Sequence, residues 1–201
     1  MAEAGLQVIK LKDCDPHFMN EVIAAGGKNV QLCYQCGTCS GGCPVAHLMD
    51  YPPRTVMRMV QLGMKEQVLK SGTLWVCASC NTCTTRCPRG VEIAKVMGAL
   101  KSLAIKEGVA AKNPLGPVFY KSFLDSTGTF GRVFEPKLML DVHLKGDGSI
   151  AQGIKGLLKE APFGLRLAMR GRVALLPEAI SHREQMKKIY ENISKMEGLH
   201  E

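Results

Sequence analysis

Cys33, Cys36, Cys39 and Cys43-Pro44 recur, spacing for spacing, as Cys77, Cys80, Cys83 and Cys87-Pro88, and this repeat takes up eight of the nine cysteines in the chain. Few sequence features restrict a fold so tightly. A C-x2-C-x2-C loop presents three thiolates from one tight turn, and C-x2-C-x2-C-x3-C-P is the run of bacterial two-cluster ferredoxins, in which the fourth cysteine of each run ligates the other cluster. A 4Fe-4S cube takes one thiolate per iron, so the repeat reads as two such clusters. By the crossover rule, one is expected on Cys33, Cys36, Cys39 and Cys87, and the other on Cys77, Cys80, Cys83 and Cys43. The proline after each fourth cysteine turns the chain away from the cluster and has no N–H in need of a partner. Zinc also accepts four thiolates. Zinc ribbons, however, use two paired C-x2-C knuckles, a pattern unlike two evenly spaced quartets ending in Cys-Pro.

The rest of the composition is that of a folded protein: 201 residues, 46% hydrophobic and 22% charged, enough to bury a core and too apolar for disorder over most of the length. The N-terminal stretch MAEAGLQVIKLKDCD lacks the basic and apolar segments of a secretory signal, which favours the cytoplasm, where clustered cysteines are metal or redox ligands more often than disulfides. No apolar run reaches the roughly 18 residues of a membrane span. The formal charge of +8 treats the cysteines as neutral, and two anionic clusters would bring it to about +4. Lys and Arg are spread over both halves without interleaved aromatics, so nucleic-acid binding is not expected.

Around the cysteine runs the punctuation is helical. Asp15-Pro16 followed by HFMNEVIAAGG reads as a short helix stopped at Gly26 and Gly27. Pro53 opens a second, with Val56, Met59 and Val60 at helical spacing and Gly63 as the stop, and MKEQVLK forms a third, ending at Ser71-Gly72. Beyond Cys87-Pro88, Ile93, Val96, Met97, Leu100, Leu103 and Ala104 share one helical face that ends near Gly108. The 33 residues between Cys43 and Cys77 are thus mostly helical, unlike the short strands of small βαβ-like ferredoxins. The fold expected is mainly α: an N-terminal helical arm (1–27), a two-cluster all-helical domain (28–111), and a helical C-terminal extension (112–201) that begins at the corner KNPLGP. In the extension VFYKSFLDS, EPKLMLDVHL, IAQGIKGLLKE and SHREQMKKIYENISKME read as short helices. Pro162-Phe163-Gly164 is expected to break any continuous helix there. Apolar positions interrupted so often suggest docking on another subunit.

Several further features carry less chemistry. Gly37, Gly41 and Gly42 open the first run to close backbone approach, whereas Ser79, Asn81, Thr82, Thr84 and Thr85 crowd the second with polar donors, so the two clusters are expected to differ in potential. Arg86 adds a positive charge near the pair. Cys14 reads as a structural thiol, and the five histidines form no i, i+4 pair that would make a metal site. Gly146-Asp147-Gly148-Ser149-Ile150-Ala151, after the strand-like LMLDVHL, matches G-x-G-x-x-A formally. It lacks the acidic residue expected about 20 positions on, so Asp147-Gly148-Ser149 is read as a turn and N-cap.

CYQCGTCSGGCPV, followed by VMRMVQLGM, LWVCASCNTCTTRCPRGVEI and later FGRVFEP, resembles the C subunit of heterodisulfide reductase and its bacterial relatives, most strongly over residues 28–136. The resemblance implies an all-helical ferredoxin domain with two 4Fe-4S clusters that relays electrons from a flavin-containing A subunit to a catalytic B subunit. In that family the B subunit bears Cys-Cys-Gly motifs and reduces the mixed disulfide of coenzyme M and coenzyme B. This chain has no adjacent cysteine pair, so the disulfide chemistry, and direct binding of a small-molecule substrate, are not assigned to it. A similar C subunit serves sulfur oxidation or other thiol and disulfide partners. A structural metal module is the alternative of another class. A self-contained enzyme would need an iron with an open position, and eight cysteines for eight irons leave none.

Overall fold

The computed structural model describes residues 14–109, 114–146, 149–172, 176–177 and 180–197. It divides into two compact units, Met1–Lys112 and Asn113–Glu201. Among the described residues the secondary structure is helical throughout, without strands, in agreement with the mainly α fold read from the sequence.

In the first unit, α1 (Phe18–Ala24) precedes the first cysteine run, which contains the single turn α2 (Thr38–Gly41). Then come α3 (Pro53–Gln61), α4 (Lys65–Lys70) and the short α5 (Thr73–Val76), which leads into the second run with its own turn, α6 (Thr82–Thr85). The unit closes with α7 (Ile93–Lys106). Pro53 occupies the first turn of α3, where its missing N–H has no helical partner to lose. The positions given by periodicity, Val56, Met59 and Val60 on α3 and Ile93, Val96, Met97, Leu100 and Ala104 on α7, are all buried, and Met57 and Ala99 are buried with them. Leu103, expected on the same face, is only partly buried.

α7 is the central element, with α1, α4, α5 and α6 all packed on it. Phe18 and Val22 of α1 and Leu74 of α5 are fully buried in that core. At the rim, the Lys65 ammonium lies 2.7 Å from both Glu21 and Glu107 and so ties α4 to α1 and α7. Inside, the buried Thr73 hydroxyl accepts from the Tyr51 N–H (2.8 Å) and donates to the Tyr51 carbonyl (3.1 Å), which satisfies it on both sides. Gly63 ends α3 at φ +73°. A Cβ there would lie 2.2 Å from the Asp15 carbonyl oxygen, so the chain entering α1 lies against a position that only glycine can fill.

The second unit holds α8 (Leu115–Phe130), α9 (Glu135–Gly146), α10 (Ile150–Met169) and α11 (Arg183–Glu197). LMLDVHL, read as strand-like, lies within α9. Ser149 caps α10 as expected, its hydroxyl accepting from the Gln152 N–H, while Asp147 and Gly148 lie outside the described residues. The break expected at Pro162-Phe163-Gly164 is not there: α10 runs through it unbroken. Proline removes one hydrogen bond of the ladder, and here it does so on a turn where Leu158 and Phe163 face solvent, so water can take the carbonyl it leaves. α9 packs on α8 and α10, and α11 on α8. These contacts are made through small residues, with Ser122, Ser126 and Gly146 buried and a Gly153 Cβ position 2.1 Å from the His143 carbonyl oxygen. Large apolar side chains, among them Leu158, Phe163, Leu165 and Met169, stay exposed.

Two substitutions test this account. Phe18→Ala is expected to cost about 3–5 kcal/mol, the range for a fully buried aromatic. Gly63→Ala is expected to cost more than about 1 kcal/mol, because it adds a left-handed alanine to a backbone clash. Chemical denaturation of the cluster-loaded protein followed by circular dichroism measures both.

Candidate iron-sulfur centres

Each cysteine run is a loop whose backbone is bent the same way at the same places. Gln35 and Gly37 have positive φ (68° and 85°), and so do Ser79 and Asn81 (52° and 61°), their equivalents 44 residues on. Two left-handed residues within four curl each loop tightly enough for its first three thiols to face one hollow. Among the described residues no backbone hydrogen bond satisfies the N–H groups of residues 34–37 or 78–81. Unpartnered N–H groups in a loop of this shape form a concavity suited to an anion.

The equivalence extends to the supports. The Ser40 hydroxyl accepts from the Arg54 N–H at the start of α3 (2.9 Å), and the Thr84 hydroxyl from the Ala94 N–H at the start of α7 (3.1 Å). Gln61 donates to the Cys33 carbonyl from the end of α3 (2.9 Å), as Lys101 of α7 does to the Cys77 carbonyl (3.1 Å). Both helix positions are offset by 40 residues, four fewer than the loops, because the connection after Cys43 is longer than the one after Cys87. Each long helix therefore pins its loop at two points.

Two cavities result, of about 320 and 370 Å³ including their open mouths. The first is lined by Cys33, Cys36, Cys39 and, from the other run, Cys87, with Tyr34, Gln35, Arg54 and Arg89 in its wall. The second is lined by Cys77, Cys80, Cys83 and, again from the other run, Cys43, with Val45, Met49, Ala94 and Met97. Buried Ile93 belongs to both walls. Among the described residues no three His, Cys, Asp or Glu side chains form a site for one metal ion. The thiols instead stand around hollows, as a cluster with one thiolate on each iron requires. Four thiols and a loop of unpartnered N–H groups at each cavity fit a 4Fe-4S cluster.

Hydrogen bonding treats the thiols unequally. The Cys36 thiol and Thr38 hydroxyl are bonded at 3.4 Å, as are Cys80 and Thr82, and these hydroxyls hold the two exposed thiols below the ordinary cysteine range. Burial pushes Cys39 and Cys83 the other way. Cys33 sulfur accepts from the Gln35 amide at 3.3 Å. Cys14 is half-buried against the core and lines neither cavity, and His47 is exposed. Arg86 lies over Gly42, whose missing Cβ would come within 2.9 Å of its guanidinium. The sequence does not single out Tyr34, Gln35, Arg54 or Arg89, and it marks Ile93 only as a core position. The 44- and 40-residue offsets were the signal that could have found their place in the walls.

Residues 29–91 match the family described as 4Fe-4S dicluster domain. The chain is 42% identical over 120 residues to the iron-sulfur C subunit of the CoB–CoM heterodisulfide reductase of Methanopyrus kandleri, covering 56% of this chain and 62% of that one. It is 41% identical over 111 residues to the iron-sulfur C 2 subunit of the same enzyme from Methanocaldococcus jannaschii (51% and 59%). Against the C subunit of the H2:CoB–CoM heterodisulfide, ferredoxin reductase of Methanothermobacter marburgensis the identity is 36% over 104 residues (52% and 56%). The chain thus spans about three fifths of the length of these curated relatives.

The repeated loop geometry predicts unequal tolerance at equivalent positions. Gly37→Ala is expected to lower stability by about 1 kcal/mol, since alanine disfavours its left-handed backbone, whereas Asn81→Gly should be neutral within about 0.5 kcal/mol. Thermal unfolding of the loaded protein distinguishes them. The match of residues 29–91 to a 4Fe-4S dicluster domain and the two four-thiol cavities support two 4Fe-4S clusters in this chain, which is similar over that region to the iron-sulfur C subunit of heterodisulfide reductase.

Proposed function

We propose that this chain is an electron-transfer subunit of a heterodisulfide-reductase-type complex, working in the cytoplasm between a flavin-containing A-type subunit and a disulfide-reducing B-type subunit with Cys-Cys-Gly motifs. The observation that carries the reading is the pair of four-thiol cavities sharing the side chain of Ile93 as a wall. When bound, 4Fe-4S clusters supply reversible electron uptake and release. Cys33, Cys36, Cys39 and Cys87 hold one, and Cys77, Cys80, Cys83 and Cys43 the other. The chain's own residues orient and insulate these sites. Gln35 donates to the Cys33 sulfur, Thr38 and Thr82 bond to Cys36 and Cys80, and Ile93, Met49 and Met97 exclude water from the interior walls.

Neither cavity leaves a cysteine over, so the chemistry on a disulfide belongs to another chain, as the similarity to a C subunit also suggests. The exposed apolar side chains of α10 offer a surface for subunit docking.

Paired substitutions test the ligand sets. Cys87→Ser should remove the same paramagnetic signal as Cys33→Ser, and Cys43→Ser the same one as Cys77→Ser, with iron falling from about eight to about four per chain in each case. If Cys43→Ser and Cys33→Ser remove the same signal, the crossed arrangement is wrong. Purification of the tagged chain from its native cells should bring with it a flavoprotein and a Cys-Cys-Gly protein. Recovery of the loaded chain alone, with clusters that do not reduce reversibly, would favour a structural metal module.

A further inference from the structure

The two halves of the repeat differ where their equivalence is closest. Carried across by the offsets of the loops and helices, the first cavity's Arg54 corresponds to Ala94 of the second, its Arg89 to Val45, its Tyr34 to Ala78 and its Gln35 to Ser79. Every one of these eight side chains lines its own cavity. The folding of the two walls is the same, and their charge is not: two guanidinium groups border the first cavity and none the second. Among the described residues neither Arg54 nor Arg89 is paired with a carboxylate.

We propose that Arg54 and Arg89 make the cluster on Cys33, Cys36, Cys39 and Cys87 the more easily reduced of the two, and so set the order of potentials along the relay. This rests on the ligand sets proposed above. Reduction adds one negative charge to a cluster, and a nearby cation stabilises that charge, so the potential rises. The Gln35 amide on Cys33 sulfur acts in the same direction. The second cavity has apolar Val45, Met49, Ala94 and Met97 where a charge would be stabilised least. Two other cations stand close to the centres. Lys101 is held on the Cys77 carbonyl and does not line the second cavity, so it offsets the pair of arginines only in part. Arg86 packs on Gly42 and lines neither cavity. Of the hydroxyls of the second run, Thr82 and Thr84 have counterparts in Thr38 and Ser40 of the first, Thr85 donates its own to the Asn81 carbonyl, and Ser79 stands where the first run has Gln35.

The test is a potentiometric titration of the full chain carrying both clusters, followed by electron paramagnetic resonance. The signals are assigned from the cysteine variants above. In the Arg54→Gln/Arg89→Gln variant the couple of the Cys33 cluster should fall, shifting electron partition between the clusters about tenfold, or about 59 mV for one electron. The other couple should stay in place, and Arg54→Lys/Arg89→Lys should restore the gap. Both arginines are exposed, so salt gives a second measurement on the unaltered protein: the gap between the couples should narrow as ionic strength rises. A Cys33-cluster couple lying below the other, or one that moves neither with the glutamine variant nor with salt, overturns the proposal while two reversible couples leave the relay standing. Clusters that do not titrate reversibly overturn both.

Discussion

Each cysteine run delivers its last thiol to the wall of the other run's cavity, and the architecture of the first unit depends on this exchange. Three cysteines at C-x2-C-x2-C spacing fit on one curled loop, but a fourth ligand cannot be placed on the same turn without crowding. Cys43 and Cys87 instead lie one short helical turn beyond, and the chain reverses at the following proline. The two loops must then lie side by side, with α2 against α6. Everything else in the unit holds that arrangement. α3 and α7 each grip a loop at both ends, and the apolar faces of the same two helices, with α1, α4 and α5, form the core. Packing and cofactor geometry thus draw on the same two helices, and Ile93 and Met97 of α7 serve both.

The strain this entails is small and local. Gln35 and Ser79 are held in left-handed backbone at about 1 kcal/mol each, while Gly37 and Asn81 fill the other left-handed position with residues that adopt it readily. Duplicated loops that accept the same strain at the same places indicate that the curl, more than the side chain, is what the site requires.

Much of this was legible before any coordinates. The cysteine spacing announced the two sites, and Pro53, Gly63 and Gly108 marked helix ends because proline and glycine act through the local backbone, wherever the rest of the chain lies. Asp15-Pro16 and Gly26 did the same for α1. What escaped was of two kinds. Pro162 looked like a break, yet the loss of one hydrogen bond on an exposed turn is too small to end a 20-residue helix. Arg54 and Arg89 looked like ordinary surface charges, since nothing local to either shows that a helix start and a Cys-Pro corner, 35 residues apart in the chain, meet at one cavity. Ile93 was read as a core residue of α7. It is that, and also the partition between two sites, a role only the assembled unit reveals.

The shared wall at Ile93 and the exchanged cysteines also bear on how the protein is made. A chain emerging from the ribosome has its first three cysteines available early, but no four-thiol cavity exists until Cys83 has been added, and the first cavity waits for Cys87. Its walls still lack α7 at that point. Both thiol sets are therefore completed within four residues of one another, late in the synthesis of the unit. A half-built domain holds the four thiols of the first run but neither of the four-thiol cavities.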